Sequence, residues 1–272
     1  MFLNLLVLIL SCFNFSTEMG DMHASSEKQL IKRKIAVPFL RINVSLPWEG
    51  HFSANSFRSP SERLELKRVK RTLEKTILAL PANHVERLES LEVRNKSHIS
   101  RGMANSKKMI LHTGTIENQK ELSAVFIHEM GHIVDFGYFR GKSSSGRSLF
   151  MDRKKFIFND DLSLKFYQIS WLREKMVKKT VARQDFVSGY AKSDCFEDFA
   201  ESYLFYRIHG EKFRALMVNS EKLRQKYFFM KKFVFDGKEF QKEKEVIDFL
   251  GELTWDVTLL TYSKENLMAV SD

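Results

Sequence analysis

The chain has 272 residues, enough for one substantial domain that buries its own hydrophobic core. A composition that is 43% hydrophobic and 29% charged, with only 12 Gly and 4 Pro, excludes a fibrous or disordered protein. The formal net charge of +10 is spread over scattered pairs such as Lys107-Lys108 and Lys178-Lys179. Because these pairs form no continuous stripe, they indicate solvated helix faces, and we expect no nucleic-acid partner.

Residues 1–20 are predicted to be an export leader. The stretch from Met1 to Phe15 is almost entirely apolar, too short to span a bilayer comfortably, and suited to the core of an export signal. No Lys or Arg precedes it, so an N-terminal core segment or a misassigned start are the alternatives. Residues 9–12, Ile-Leu-Ser-Cys, loosely resemble a lipoprotein box with Cys12 as the acylated residue. We therefore expect an exported protein, either secreted or associated with the membrane through its N-terminus.

Residues 21–60 are predicted to form an irregular extension that packs on the main domain, with one short apolar run from Ile35 to Val44. A single domain is predicted over residues 61–272. It begins with a helix from Ser61 to Pro81, because Ser61 can cap the helix and the apolar residues after it follow helical spacing.

Two short apolar runs come next, from Leu88 to Arg94 and from Lys108 to Thr113, and their alternation predicts paired strands. A second helix is predicted from Asn118 to Phe136, followed by a flexible connection that includes Gly137, Gly141 and the serine tract of residues 143–148. The remainder is predicted to be helical over residues 162–179, 195–209, 211–232 and 243–261. These elements predict an α+β fold in which a small sheet packs against several helices.

The predicted second helix carries an HExxH pattern, His128-Glu129-Met130-Gly131-His132. Side chains at positions i and i+4 of a helix lie on one face, so His128 and His132 can reach a single Zn²⁺. Glu129 then lies beside them and can act as the general base on a water molecule at the metal. Apolar residues surround the motif, which predicts a buried helix at the centre of the domain. A buried imidazole pair without a metal would have to find other polar partners.

A catalytic zinc site has three protein ligands, so a third must come from elsewhere in the chain. The metzincin pattern is disfavoured, because the positions where it has a Gly and a further ligand hold Asp135 and Tyr138. Asp135 follows His132 by about one helical turn, which favours support of the site or simple capping over ligation.

The better candidate for the third ligand is Glu197. A helix is predicted to begin near it, capped by Ser193 or Asp194, and Glu197 and Glu201 then share one face. Glu197 can ligate zinc, and Glu201 can accept a hydrogen bond from a zinc-bound imidazole. Taken alone, the acidic residues are better explained as a solvated helix face. The HExxH pattern upstream favours the metal site.

In combination, these motifs resemble a known group. HExxH followed by Tyr190, six residues, Glu197, three residues and Glu201 is similar to the catalytic domain of anthrax lethal factor and the related Pro-Pro endopeptidases. The resemblance covers roughly residues 61–232 and implies a zincin-like metallopeptidase. It implies that Glu197 is the third zinc ligand, that Tyr190 faces the metal and that Glu201 supports the site. The substrate preferences of that group do not transfer, because the match is confined to these motifs.

The predicted activity is therefore hydrolysis of a protein or peptide substrate by a zinc endopeptidase. Tyr190 is expected to stabilise the oxyanion or help to protonate the leaving amine. Lys108 to Thr113 is either an edge strand that pairs with an extended substrate or an interior strand. Cys195, close to Glu197, is expected to fill the core, since a thiolate in the open metal position would block catalysis.

Three other functions are compatible with the sequence. The first is a cytoplasmic, DNA-associated zincin protease, against which the apolar leader and the lack of zinc-ribbon cysteines count. The second is a catalytically silent zinc-binding domain used for adhesion, against which the presence of Glu129 and Tyr190 counts. The third is a structural helical protein with a fortuitous motif.

Overall fold

A four-stranded sheet forms one layer of the protein. Its strands are β1 (Arg41–Ser45), β2 (Ser90–Arg94), β3 (Gly102–Ala104) and β4 (Lys108–His112), in the spatial order β1-β2-β4-β3. Strands β1, β2 and β4 run parallel to one another, whereas β3 runs antiparallel to β4. Strand β1 comes from the segment of residues 21–60 that the sequence assigned to the N-terminal extension.

The pairing of the two apolar runs is confirmed, and of the two alternatives for Lys108 to Thr113 the structure shows the interior strand. That run is the interior strand β4, with Met109 and Leu111 almost fully buried. The strand at the edge next to β4 is the short strand β3, which pairs with β4 over only three residues. A strand of this length is too short to show an alternating apolar pattern, and so it gives no signal in the sequence.

The structure is a computed structural model that describes residues 41–45, 60–95, 97–240, 254–262 and 267. The described residues belong to one compact unit. The predicted leader with Cys12, and most of the helix predicted over residues 243–261, lie outside them. Within the described residues, no helix is both long enough and apolar enough to cross a membrane.

Seven α-helices accompany the sheet in the described part of the chain, which confirms an α+β fold class. They are α1 (Pro60–Leu78), α2 (Ala82–Val85), α3 (Gln119–Ile133), α4 (Ser163–Ser170), α5 (Cys195–Ile208), α6 (Gly210–Leu216) and α7 (Glu221–Phe229).

Helix α3 carries the HExxH pattern through the centre of the core. Its N-cap is Asn118, whose side chain accepts hydrogen bonds from the backbone of Lys120 and Glu121. Every residue from Glu121 to Ile133 is buried, as expected for a helix packed on all sides. A π-helical turn, Val134–Tyr138, extends its C-terminal end. The predicted helix from Asn118 to Phe136 is thus confirmed apart from this last turn.

Helix α5 crosses α3 at very close range. Its N-cap is Asp194 rather than Ser193, and the Asp194 side chain accepts from the backbone N–H groups of Phe196 and Glu197. At the crossing, a Cβ atom added to Gly131 would lie 2.8 Å from the Cα atom of Ala200. Glycine at the fourth position of the HExxH pattern therefore allows the two helices to approach.

Two hairpins contradict the predictions for residues 143–148 and 162–179. The first pairs β5 (Arg147–Asp152) with β6 (Lys155–Phe158), and the second pairs β7 (Trp171–Arg173) with β8 (Met176–Val177). Helix α4 ends at Ser170 because the Trp171 ring is buried and its Nε1–H donates to Asp198 at 2.9 Å. Tertiary contacts here override a helical pattern.

The C-terminal part also departs from the predicted long helices. The helix predicted over residues 211–232 is split into α6 and α7, because Ser220 caps α7 through a hydrogen bond from the N–H of Leu223. Residues 254–262, which we call the strap, contain only a short 3-10 turn, Val257–Leu259, where a helix was predicted. The strap packs against α3 and α5 and reaches the functional site described next.

Candidate metal centre

Three predicted ligands come together between α3 and α5. One ligand atom from each of His128, His132 and Glu197 lies within 4.8 Å of the other two. Oε2 of Glu197 is 3.2 Å from Nε2 of His128 and 3.4 Å from Nε2 of His132. Ligand atoms at two corners of a tetrahedron with bonds near 2.0–2.1 Å are separated by about 3.3–3.4 Å. The donor set and its spacing therefore fit a divalent cation such as Zn²⁺.

The secondary structure accounts for this convergence. His128 and His132 are one helical turn apart on α3, so both imidazoles leave the helix on the same side. Glu197 belongs to the first turn of α5, where the Asp194 cap orients the chain. Since α3 and α5 approach closely at Gly131, the carboxylate is brought within reach of both rings.

The electrostatics of the cluster keep the carboxylate ionised. Burial raises the pKa of Glu197, but the two neighbouring imidazoles outweigh it and hold that pKa far below its usual value. For both imidazoles, burial lowers the pKa, and the carboxylates around them more than reverse this shift, Glu197 and Glu201 for His128 and Glu197 and Glu129 for His132. A cation at this point would replace the protons that the imidazoles otherwise attract to the cluster.

Glu201 supports His128 from behind, as predicted. The side chain is fully buried, and its Oε1 lies 2.9 Å from Nδ1 of His128, leaving Nε2 of that ring to face Glu197. Its other oxygen, Oε2, accepts from the Ser188 hydroxyl at 2.7 Å and from the backbone N–H of Val257 at 2.9 Å. Such a carboxylate fixes the tautomer and orientation of a ligating imidazole.

Glu129 lies next to the cluster, and one of its carboxylate oxygens accepts no hydrogen bond from the described residues. A Cβ atom added to Gly102 of β3 would lie 2.3 Å from Oε1 of Glu129, so a side chain at this position would displace the Glu129 carboxylate. Oε2 of Glu129 is buried and has no hydrogen-bond partner among the described residues. Burial raises the pKa of this carboxyl group. A buried acceptor without a protein partner, beside a candidate metal centre, fits a general base that acts on water.

Tyr190 faces the same cluster from the short 3-10 turn Tyr190–Lys192. Its ring stacks on His128 with 6.0 Å between centroids. The strap holds this turn in place, because the N–H groups of Gly189 and Tyr190 donate to the carbonyls of Thr254 and Trp255 at 2.9 and 2.6 Å. Burial and the nearby Glu197 carboxylate raise the pKa of Tyr190, so its hydroxyl stays protonated and can donate.

An open cleft of about 1210 Å³ gives access to the cluster. Its lining comprises residues 99–105 around strand β3, the turns of both hairpins, the α3 and α5 site residues, and part of the strap. Phe136 and Phe196 add an apolar surface there, and the Phe136 ring stacks on His132. The volume exceeds that of a typical small-molecule pocket and suits a segment of polypeptide.

Two other predicted residues lie outside the cluster. Asp135 is buried, and its Oδ1 accepts from the Tyr167 hydroxyl at 2.5 Å, while burial raises its pKa to about 8. The structure records no hydrogen bond between Asp135 and His132. Cys195 is a fully buried free thiol that contributes no atom to the cluster, in agreement with a core role.

Sequence reasoning missed several contributors to the site. Ser188 stands near Tyr190 in the sequence, but a serine alone does not indicate a partner for Glu201. The contact of the Val257 N–H with Glu201 could not be predicted, since every residue except proline has a backbone N–H. The contact of Gly102 with Glu129 could not be predicted either, because a glycine by itself does not indicate which side chain packs against it. Arg101 was also missed; it contacts Glu121 at 2.6 Å and also Asp256, and so it ties the start of β3 to α3 and to the strap.

No protein-family model matches the chain, and no curated protein is significantly similar to it in sequence.

Proposed function

We propose that the protein is a zinc-dependent endopeptidase with a zincin-like fold. The observation that carries the proposal is the convergence of His128, His132 and Glu197 on one point in an open cleft, with the unpartnered Oε2 of Glu129 beside them. A structural helix pair with a fortuitous motif would not be expected to bring three metal-ligating side chains within 4.8 Å of one another beside an open cleft. The predicted export of the protein belongs to the same proposal and rests on the apolar leader alone.

The residues of the chain have distinct roles in the proposed reaction. When bound, Zn²⁺ supplies Lewis acidity at the scissile carbonyl and lowers the pKa of water to about 7. Glu129 takes one proton from the attacking water and delivers it to the leaving nitrogen as the C–N bond breaks. The Tyr190 hydroxyl donates to the oxygen on which negative charge develops. Glu201 holds His128 in the tautomer that leaves Nε2 free to ligate.

The types of ligand atom in the cluster favour zinc over the hard divalent cations Mg²⁺ and Ca²⁺. Two imidazole nitrogens and a single carboxylate oxygen are typical ligands of catalytic zinc, whereas Mg²⁺ and Ca²⁺ are bound mainly by oxygen atoms. The small number of protein ligands leaves a coordination position open for substrate.

Metal content and peptide cleavage should be measured on the same preparations. We expect near-stoichiometric zinc and cleavage of members of a peptide library by the wild-type protein. Glu197→Ala should lose most of the zinc, whereas Glu129→Gln should keep it and cleave about 10²- to 10⁴-fold more slowly. Glu86→Gln is a matched control, since Glu86 is exposed and does not line the cleft. A zinc-free wild-type protein after metal-replete purification would reject the proposal.

A further inference from the structure

The turns of both hairpins bring basic side chains to one part of the cleft. Arg153 and Lys154 form the two-residue turn between β5 and β6, and Lys155 follows as the first residue of β6. Lys175 lies in the turn between β7 and β8. All four side chains are exposed and line the cleft. We call these four residues the basic rim.

Within the described residues, the basic rim carries more positive charge than its neighbours neutralise. None of its four side chains has an ion-pair partner among the described residues. Asp152 and Glu174 also line this part of the cleft, but two carboxylates leave an excess of positive charge. Arg101, elsewhere in the lining, contrasts with the rim because Glu121 and Asp256 pair with it.

The two hairpins are held in place by the protein core, so the charges of the rim are not on free loops. Phe150 of β5 is buried and packs on Tyr167, with 5.3 Å between ring centroids. Trp171 of β7 is buried and donates to Asp198 of α5. The rim therefore occupies a defined position relative to the helix that carries Glu197.

We propose that the basic rim recognises acidic side chains of an extended peptide that passes the candidate metal centre. This inference deepens the proposed function and rests on it for the identity of the ligand as a peptide. At the hairpin turns, four cations outnumber the two carboxylates Asp152 and Glu174, and such a local excess of positive charge raises the concentration of acidic ligands beside it. Substrates with acidic residues on the hairpin side of the scissile bond are expected to bind faster and be cleaved more efficiently.

The test compares fluorogenic peptides that share one cleavable core and differ only in whether Glu or Lys residues flank it. Wild-type protein should cleave the Glu-flanked peptide with about tenfold higher kcat/KM, and the preference should shrink as salt is raised. The variant Lys154→Glu/Lys155→Glu should lose or reverse the preference. Lys67→Glu/Lys70→Glu, which changes the net charge equally on the exposed face of α1, should keep it.

A second readout separates this inference from the proposed function. Binding of the same two peptides, without cleavage, can be followed by fluorescence anisotropy on Glu129→Gln protein. Preferred binding of the Glu-flanked peptide without any cleavage by the wild type would support the rim and overturn the peptidase. Cleavage with no charge preference, or a preference that Lys154→Glu/Lys155→Glu leaves unchanged, would overturn the rim and leave the peptidase standing. Equal losses in the α1 control would show that net charge alone is responsible.

Discussion

The helix pair α3–α5 and the two hairpins line the same cleft, but they are built in different ways. On the helices, all the functional groups except the partly exposed Glu197 are buried, and several have hydrogen-bond partners, such as Glu201 with His128, Ser188 and Val257. On the hairpins, the groups that line the cleft are exposed, and the four cations have no ion-pair partner within the described residues.

This difference separates proposed chemistry from proposed recognition. Groups that bind a metal and move protons must keep a fixed geometry, which burial and hydrogen bonds provide. Groups that attract a charged substrate act over a longer distance and gain from exposure to the approaching ligand. Substitutions on the helix pair should therefore have large effects, and substitutions at exposed hairpin positions should have small ones.

After the loss of the proposed general base, the largest effect on the reaction is expected from Tyr190→Phe. Loss of one donor to a developing oxyanion typically lowers kcat about 10²- to 10³-fold. The ring and its stacking on His128 remain, so fold, zinc content and KM should change little. Steady-state kinetics on a cleaved peptide provide the measurement.

Tyr138→Phe serves as the control for this substitution, because the Tyr138 hydroxyl accepts from Asn83 away from the cluster. An unchanged kcat for Tyr190→Phe would mean that this tyrosine has only a structural role. It would also weaken the resemblance to the lethal factor group without affecting the three ligands.

A smaller effect is expected from Glu201→Gln. The neutral amide can still fill the space between His128, Ser188 and Val257, but it no longer makes the imidazole a stronger base. Loss of such a supporting carboxylate typically lowers metal affinity about 10- to 100-fold. Competition with a chromophoric chelator measures the zinc affinity directly.

Glu221→Gln is the matched control, since Glu221 makes only an exposed pair with Arg224 and a hydrogen bond with Gln225 at the surface. If Glu201→Gln bound zinc as tightly as the wild type does, Glu201 would stabilise the fold without affecting zinc affinity.

The smallest effect is expected from Leu149→Ala on β5. Leu149 is 68% exposed, so its truncation should change the free energy of unfolding by no more than about 0.5 kcal/mol. The same truncation at Leu204 on α5, which is fully buried, should cost about 2–5 kcal/mol. Urea denaturation of both variants measures the contrast. Equal losses would show that the hairpins are as tightly integrated into the core as the helix pair.

The local pattern of the sequence was sufficient to predict the parts of the site that lie within single helices. The spacing of His128 and His132 predicts one shared face because an α-helix repeats every 3.6 residues. The same periodicity predicts that Glu197 and Glu201 point together. Both pairs are found as predicted, facing each other across the α3–α5 contact.

Local pattern failed where tertiary contacts determine the conformation. Residues 162–179 read as one helix, but burial of Trp171 against Asp198 favours a hairpin after Ser170. The edge strand β3 was missed because three residues carry no periodicity. Hairpins of this kind are determined by long-range packing, which cannot be read from a short window of neighbouring residues.

The sequence by itself therefore determined the chemical identity of the candidate site, because ligand type and helical spacing are local properties of the chain. Only the tertiary structure decided what surrounds that site. The strap brings the N–H of Val257 to Glu201, and β3 brings Gly102 against Glu129. The hairpins bring the basic rim to the cleft. Each of these contacts joins segments far apart in sequence, and their pairing depends on how the whole core packs.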